Sequence, residues 1–363
     1  MSSAMRIAIK YDNVFIDPNG NIGGHETGDT LVRRLLRLFP NSIVIGQGPR
    51  KGNGFDVLPL EFIQGDDVIV VNMDVIDSVD VWRTLHANCE KPKVMNFLWW
   101  PVARYSSHIE KAALTLACAL FPTFANSERT AGEAREIVSK WDAQPLAERA
   151  IIAWVNLGFR HEHVQPRRDA TEPVVLYPAI YLTREKRPQL FFDVVEAVHE
   201  TTPLQVEARL TESQLVSSLA MRYSRKDWIW IGPLTAGRDS YWEALSRTTA
   251  FLATAETESY GLMYVEALAA GAIGIFPNLP WAHALVPDRY PFFYDTPEQA
   301  AEMLRRAVVD PDTCLAEMDT AAGSGFQSWL RSRHDDDIFE RVIVARINQW
   351  FDTAFELPQQ LDV

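Results

Sequence analysis

Glu258 and Glu266 are the residues whose type and spacing suggest a binding site for a polar ligand. They flank the predicted start of a helix, which follows an apolar run at 249–253 and ends at Gly271, a residue suited to the left-handed position past a helix end. A carboxylate on a packed helix surface is costly unless it accepts hydrogen bonds. The hydroxyl groups of a ligand would donate such bonds to Glu266.

The start of this helix is also a predicted anion site. The first backbone N–H groups, those of Tyr260, Gly261 and Leu262, have no partner within the helix and lie at the positive end of its dipole. Gly261 has no Cβ, so a phosphate or a sugar can approach the backbone closely. In the alternative interpretation, Glu258 is a solvated loop acid and Glu266 pairs with an arginine. For the two glutamates together, we favour the ligand site.

The segment that begins at Glu258 resembles the paired-glutamate signature of a large family, the glycosyltransferase family 4-like retaining enzymes with the GT-B fold. In this signature Glu, a small residue, an aromatic residue, Gly and Leu precede a second Glu that is followed by Ala. The resemblance implies that Glu266 binds the ribose hydroxyls of a nucleotide-sugar and that Glu258 binds its hexose. It also implies that the amides after the first glutamate bind the sugar and the diphosphate, here those of Tyr260, Gly261 and Leu262.

The resemblance further implies basic residues that neutralise the donor phosphates as the leaving group departs. Lys186 matches the lysine of the family, whereas Tyr181 stands where the family has arginine. Either Arg184 or Arg187 compensates, or the enzyme is slow or uses an unusual donor.

A glycine-rich connection between the first predicted strand and the first predicted helix contains Gly23 and Gly24. It lacks the G-x-G-x-x-G spacing of dinucleotide-binding loops, so by itself it is equally typical of a surface loop. In GT-B relatives, a Gly-Gly pair at this place approaches the donor diphosphate from the N-terminal domain. The resemblance therefore implies a donor-binding role for Gly23 and Gly24.

The acceptor side of the site is less clearly marked. Many relatives place a histidine at the end of the fourth long strand to touch the transferred sugar, whereas this chain has Trp99 and Trp100 there. Tryptophan stacks on sugar or base faces, and adjacent tryptophans are as typical of packing. His25 and His108 are the candidates for a polar contact with the acceptor.

The elements that would position these residues alternate between strand and helix. Apolar runs at 5–9, 42–45, 68–71 and 94–98 are separated by helix-length segments, and a second series starts at 174–177. This alternation predicts doubly wound parallel sheets. The predicted fold class is α/β, and the resemblance implies GT-B, with two Rossmann-like domains facing a central cleft.

Four segments follow from this interpretation: an acceptor-side domain at 1–160, a hinge at 161–172, a nucleotide-sugar-binding domain at 173–335 and a C-terminal helix at 336–363 that crosses back to the first domain. The final helix is predicted from about Asp337 to Phe355, with Ile338, Val342, Ala345 and Phe351 as its apolar residues. The acidic run before it is typical of a helix N-terminal charge cluster rather than of a metal site.

The composition limits the classes of function. With 363 residues, 47% apolar and 23% charged, the chain is expected to be a soluble protein of two domains. Its three cysteines are too few for a disulfide framework and have no metal-ligand spacing. No cationic leader or membrane-spanning run is evident, which favours the cytoplasm. The net charge of −13 argues against broad attraction to nucleic acid or anionic membranes.

The sequence therefore predicts a metal-independent transferase that needs no cofactor and moves a sugar from a nucleoside-diphosphate-sugar to an acceptor hydroxyl with retention of configuration. Glu258 and Lys186 are its predicted catalytic residues. The acceptor is a saccharide, a small molecule or a modified base. One alternative is transfer to a hydroxylated base in DNA or RNA, which requires a basic groove near Arg33, Arg34 or Arg50. Another is a nucleotide-sugar-binding protein with weak activity.

Overall fold

The computed structural model describes residues 5–24, 26–64, 66–141, 144–168, 170–234, 238–323 and 325–358. The chain divides into two compact units. The first comprises Met1–Asn156 together with Asp337–Val363, and the second comprises Leu157–Asp336.

The second unit includes the segment 161–172 that the sequence predicts as a hinge. This segment is attached to the body of the unit by hydrogen bonds. The Arg168 N–H donates to the Ser246 carbonyl at 3.0 Å, and the Arg167 guanidinium donates to the Thr248 carbonyl. The chain therefore passes into the second unit a few residues before the predicted boundary at 160.

The first unit contains, within its described residues, an eight-stranded sheet. In chain order its strands are β1 (Arg6–Lys10), β2 (Ile43–Ile45), β3 (Arg50–Lys51), β4 (Asp56–Leu58), β5 (Val68–Asn72), β6 (Lys93–Leu98), β7 (Thr123–Ala125) and β8 (Ile152–Trp154). Their order across the sheet is β3-β4-β2-β1-β5-β6-β7-β8, and only β3 and β4 pair antiparallel. The apolar runs form β1, β2, β5 and β6, because parallel strands covered on both faces consist of continuous apolar residues.

Helices connect these strands: α1 (Thr27–Leu38), α2 (Ser78–His86), α3 (His108–Leu120), α4 (Glu128–Trp141) and α5 (Gln144–Ala147). Helix α1 begins at Thr27, where Glu26 and Asp29 cap its first turn. The Glu26 N–H donates to the Asp29 carboxylate at 3.3 Å, as in a capping box.

The second unit contains a six-stranded sheet. Its strands are β9 (Val174–Tyr177), β10 (Gln205–Leu210), β11 (Ile229–Pro233), β12 (Thr248–Leu252), β13 (Ile273–Pro277) and β14 (Phe293–Tyr294). Their order is β11-β10-β9-β12-β13-β14, with parallel neighbours. From β9 the chain first adds strands on one side and then crosses to β12 on the other. The gap between the carboxyl ends of β9 and β12 is therefore the topological switch point of this sheet.

The helices of the second unit are α6 (Pro188–His199), α7 (Glu212–Leu215), α8 (Ser218–Tyr223), α9 (Arg238–Arg247), α10 (Leu262–Ala269), α11 (Pro280–His283), α12 (Pro297–Val309), α13 (Pro311–Ala322) and α14 (Phe326–His334). Helix α10 is the predicted glutamate-bearing helix. Gly271 follows it with a φ of +86°, in the left-handed region that the sequence predicts. Across the described ranges, no helix combines the length and the apolar content needed to cross a membrane.

The last helix, α15 (Asp336–Phe351), belongs to the first unit except for its first residue. Of the predicted apolar residues of this helix, Ile338, Val342 and Phe351 are half-buried and Ala345 is exposed. The fully buried residues are Phe339, Ile343, Val344 and Ile347. The predicted end at Phe355 is wrong. Asp352 has a φ of +52°, which stops the helix, and Phe355 packs on Phe39 with ring centroids 5.1 Å apart.

Candidate functional site

Two loops follow the strands on either side of the switch point of the second unit. The loop after β9 contains Lys186, and the loop after β12 contains Glu258. Hydrogen bonds hold the loops together: the Thr254 hydroxyl donates to the Lys186 carbonyl at 2.7 Å, and the Glu256 N–H donates to the Glu185 carbonyl at 2.8 Å. Ligands of open α/β sheets bind where such loops meet, so a site is expected here.

Lys186 and Glu258 form an ion pair between these loops. Their side chains are 25% and 14% exposed, and the Tyr264 hydroxyl donates a further hydrogen bond to the Glu258 carboxylate at 2.9 Å. Burial and the charge of Glu258 raise the pKa of Tyr264 well above its ordinary value, so this hydroxyl keeps its proton. The interpretation of Glu258 as a solvated loop acid is therefore wrong.

Helix α10 begins immediately after this ion pair. Gly261 is its N-cap and has a φ of +88°, a conformation that favours glycine. A Cβ at Gly261 would lie 2.6 Å from the Tyr264 ring. Within the described part of the chain, the backbone N–H groups of Gly261 and Leu262 donate to no protein acceptor. These two donors, at the positive end of the α10 dipole, are suited to bind an anionic group.

Glu266 lies on the first turns of α10 and is only 2% exposed. The Tyr241 hydroxyl, from α9, donates to its carboxylate at 2.8 Å. The sequence reasoning missed Tyr241, and no motif singles it out. Its role depends on the packing of α9 against α10, which a local pattern does not encode.

Tyr181 and Arg184 lie in the same loop as Lys186. The Tyr181 carbonyl accepts a hydrogen bond from the Tyr177 hydroxyl at 2.9 Å, which fixes the loop just after β9. Arg184 is exposed and starts the single helical turn that ends at Lys186. The structure therefore brings together Lys186, Glu258 and the start of α10, and it places Arg184 on the same turn as the lysine.

Gly23 and Gly24 lie in the first unit, in the connection between β1 and α1. The Arg33 guanidinium donates to the carbonyls of Ile22, Gly23 and Gly24 at 3.2, 3.2 and 3.0 Å. Gly24 has a φ of +81°, and a Cβ there would lie 2.1 Å from the Asp29 carboxylate. Close packing and backbone conformation therefore account for Gly24, and Arg33 holds the loop in shape.

The aromatic acceptor candidates also lie in the first unit. Trp99 is 4% exposed, its indole N–H donates to the Met73 carbonyl at 3.2 Å, and its ring meets Tyr11 edge-on. The Arg104 guanidinium lies 3.5 Å from the centroid of the Trp100 ring. These contacts are typical of packing.

The histidine acceptor candidates are placed differently. His108 is exposed at the start of α3, with its ring centroid 5.4 Å from that of Trp141. His25 lies outside the described residues. Within the described residues, no ring contact or hydrogen bond joins His108 to Trp99 or Trp100.

Among the residues that the structure describes, no group of three or more His, Cys, Asp or Glu side chains could hold a metal ion. The acidic run before the last helix surrounds the first turn of α15. Asp336 is 3% exposed, and its carboxylate lies 3.7 Å from Nε of Arg160. The run is thus placed at a helix N-terminus, where acidic side chains are favourable.

No family model and no curated protein sequence matches this chain. Solved structures match it over nearly its whole length. For a sucrose-phosphate synthase from Thermosynechococcus elongatus, the TM-score is 0.70 at 12% identity, over 96% of this chain and 99% of the other. For the trehalose-6-phosphate synthase OtsA, it is 0.70 at 10% identity, over 95% and 99%. For Anabaena Alr3699/HepE in complex with UDP and glucose, it is 0.68 at 12% identity, over 95% and 99%.

These similarities confirm the predicted fold class. The chain has the α/β GT-B fold, with two Rossmann-like domains built on doubly wound parallel sheets. At 10–12% identity, they establish the fold alone. The activity has to be argued from the site itself, because one fold supports many functions.

Proposed function

We propose that this protein is a metal-independent glycosyltransferase that moves a sugar from a nucleoside-diphosphate-sugar to an acceptor hydroxyl with retention of configuration. One observation carries the proposal. A lysine, a half-buried carboxylate and two unpartnered helix N-terminal amides converge at the switch point of the second unit. A diphosphate needs a cation and N–H donors, and a sugar ring needs a carboxylate acceptor for its hydroxyls.

Lys186 and the amides at the start of α10 would bind the diphosphate. Lys186 forms an ion pair with Glu258. When a donor binds, the ammonium group would turn to the diphosphate, and Glu258 would accept hydrogen bonds from the hexose hydroxyls instead. This exchange leaves neither charge unpaired, which matters because an isolated half-buried charge is costly.

In the proposed transfer, the acceptor oxygen attacks the anomeric carbon from the face on which the diphosphate leaves. The bond from the anomeric carbon to the diphosphate oxygen breaks, and the acceptor proton passes to a departing phosphate oxygen. Negative charge grows on the diphosphate as this bond breaks. Lys186 and the N–H groups of Gly261 and Leu262 are preorganised donors for that charge, so they would stabilise the transition state more than the ground state.

Glu266 would bind the ribose hydroxyls of the donor. Its carboxylate has two oxygens, and the Tyr241 hydroxyl contacts Oε2. Tyr241 would hold the carboxylate in one orientation for the ribose. The nucleotide would therefore be oriented from Glu266, while its diphosphate lies at the start of the same helix.

The test is a panel of nucleoside-diphosphate sugars, scored by the shift of the thermal unfolding midpoint, with donor hydrolysis followed for every hit. A ligand that binds only the folded state raises this midpoint by mass action, even when no acceptor is known. UDP-glucose is the first donor to try, since the Anabaena structure contains UDP and glucose. A hit with slow hydrolysis supports the proposal. If no nucleoside-diphosphate sugar shifts the midpoint, the assignment of Lys186, Glu258 and Glu266 is wrong.

Replacing Tyr241 by phenylalanine is expected to weaken donor binding about 3- to 10-fold, since one hydrogen bond to a charged group is lost. Turnover at saturating donor should change little, because the hydroxyl contacts Glu266 and not the reacting atoms. Isothermal titration with UDP measures the effect. Tyr223→Phe is the matched control, since it removes a buried hydroxyl that accepts from Gln189 at 3.1 Å. Equal losses in both variants would contradict the assigned role of Tyr241.

The alternative acceptor, a hydroxylated base in DNA or RNA, needs a concentrated basic groove. Of the three arginines proposed for it, Arg33 binds the carbonyls of the glycine loop, and Arg34 is 6% exposed with its guanidinium 5.8 Å from the Phe339 ring. Arg50 is exposed. One exposed arginine does not make a groove, so we propose a saccharide or another hydroxylated small molecule as the acceptor.

A second candidate function, a nucleotide-sugar-binding protein with weak activity, is favoured by Tyr181 at the position where arginine is expected. The variant Tyr181→Arg separates the two. A rise in donor turnover would mean that the transferase site is complete apart from this residue. Tight donor binding without turnover in either form would favour the binding protein.

A further inference from the structure

Helix α14 contacts the glutamate-bearing segment at two places. Near the start of α14, the side-chain amide of Gln327 donates to the Leu268 carbonyl at 2.8 Å, close to the end of α10. At the end of α14, Nδ1 of His334 lies 2.6 Å from the Tyr260 hydroxyl, in the loop just before α10. Both ends of α10 are therefore tied to the same neighbouring helix.

Burial determines the charge of the His334 ring. The side chain is 1% exposed, and burial lowers the pKa of His334 to about 3. The imidazole is thus neutral, with one donor and one acceptor nitrogen. The hydrogen bond between Nδ1 and the Tyr260 hydroxyl forms in either tautomer, with the hydroxyl as the donor or as the acceptor.

The backbone of His334 makes a second connection. Its carbonyl accepts from the Phe159 N–H at 2.8 Å, and the Phe159 carbonyl accepts from the Asp336 N–H at 3.1 Å. Phe159 and Asp335 form a parallel bridge. These residues stand where the second unit begins, at Leu157, and where it ends. The two segments through which the chain enters and leaves the unit are therefore paired with each other at His334.

Gly158 shows how closely these segments approach. Its φ is +37°, and a Cβ on it would lie 2.6 Å from the His334 carbonyl oxygen. A side chain at this position would force the two segments apart. His334 thus contacts the loop before α10 through its ring and pairs with the segment at Phe159 through its backbone.

We propose that His334 is a positioning residue: through the Tyr260 hydroxyl it fixes the backbone between Glu258 and Gly261 and couples the order of that loop to the paired segments at 157–160 and 334–336. The identity of the ligand rests on the proposed function, but the coupling does not. The Tyr260 side chain is buried, at 4% exposure, against His334, so only its main chain would be available to a donor.

The first arm of the test needs no ligand. Hydrogen–deuterium exchange is measured by mass spectrometry on peptides covering 157–160 and 334–338, in the wild type, Tyr260→Phe and His334→Leu. Both variants are expected to exchange about threefold faster or more at these peptides, because removing either partner lowers the local free energy of opening. Tyr290→Phe is the control. Tyr290 is also 4% exposed, and its hydroxyl donates to the Gly274 carbonyl at 2.8 Å rather than to His334.

The second arm measures binding of UDP by isothermal titration. Tyr260→Phe and His334→Leu are each expected to weaken UDP binding about 10-fold. The double variant should lose no more affinity than the more strongly affected single variant, since both substitutions remove the same hydrogen bond. His334→Asn should recover part of the affinity, because its side-chain amide can donate or accept a hydrogen bond in place of Nδ1. If His334→Leu does not fold, Tyr260→Phe carries both arms alone, since it removes a single oxygen atom.

The outcomes separate this inference from the proposed function. Unchanged exchange in the first two variants, or an equal rise in Tyr290→Phe, overturns the coupling. Additive losses of affinity overturn the shared role of the two residues. If UDP and the other nucleoside diphosphates fail to bind the wild type, the proposed function is wrong, and the exchange arm still decides the coupling.

Discussion

Replacing Lys186 by alanine is expected to lower kcat by about 10²–10³-fold, while the donor Kd changes much less. The ammonium group of Lys186 attracts the diphosphate most strongly after negative charge has developed on the diphosphate. Loss of the ammonium group therefore removes stabilisation that exists mainly in the transition state. Lys186 is the cation that the structure places beside Glu258 and close to the start of α10. Steady-state kinetics with a saturating donor, together with titration of UDP, measure the two effects separately.

Two further variants sharpen this experiment. Lys186→Arg keeps the positive charge but replaces the compact ammonium group by a planar guanidinium group, so it should recover part of the lost turnover. Arg184→Ala removes an exposed cation from the same helical turn and should cost less than Lys186→Ala. The thermal midpoint of Lys186→Ala is also needed, because the variant leaves the Glu258 carboxylate without its cation. Full turnover in Lys186→Ala would remove it from the catalytic machinery.

Much of the second unit was predictable because the signals are local. The strand before α10, the glycine at its N-cap and Gly271 beyond its end each depend on residues within a few positions of one another. Gly261 and Gly271 have φ values of +88° and +86°, in the left-handed region that only glycine enters at little cost. The expectation of a helix N-terminus next to two glutamates therefore followed from short-range chemistry.

The partners of those glutamates were not predictable in the same way. Tyr241 reaches Glu266, Tyr264 reaches Glu258, and His334 reaches Tyr260. Only the Tyr264 contact joins residues close in the sequence. Tyrosine and histidine are also common in ordinary cores, so their types gave no signal. Tertiary packing, and not local sequence, determines which of these side chains form hydrogen bonds with one another.

In the first unit the series of strands was predictable from the sequence, but the roles of side chains were harder to assign. Arg33 looked like a member of a basic groove, and in the structure its guanidinium holds three carbonyls of the glycine loop. In the sequence, a cluster of arginines predicts an exposed basic surface. The carbonyl groups that accept the hydrogen bonds of Arg33 lie elsewhere in the chain, so the pattern does not reveal them. The acceptor residues Trp99, Trp100, His25 and His108 stay predictions.

Replacing Glu266 by alanine is expected to raise the donor Kd by about 10- to 100-fold, with a much smaller change in kcat. Hydrogen bonds from ribose hydroxyls to a carboxylate form in the ground state and persist in the transition state, so their loss weakens binding more than it slows the reaction. The variant should also be less stable by about 1–3 kcal/mol, because the buried Tyr241 hydroxyl loses its acceptor.

Deoxynucleotides isolate the ribose contact from this loss of stability. The wild type is expected to bind 2′-deoxy-UDP or 3′-deoxy-UDP more weakly than UDP, whereas Glu266→Ala should bind all three alike, since the group that distinguishes them is gone. Tyr241→Phe in the Glu266→Ala background should recover part of the stability, because it removes the hydroxyl that has lost the Glu266 acceptor. It should recover none of the discrimination. If Glu266→Ala still prefers UDP over both deoxy forms, the ribose is bound elsewhere, and Glu266 serves only the packing of α9 against α10.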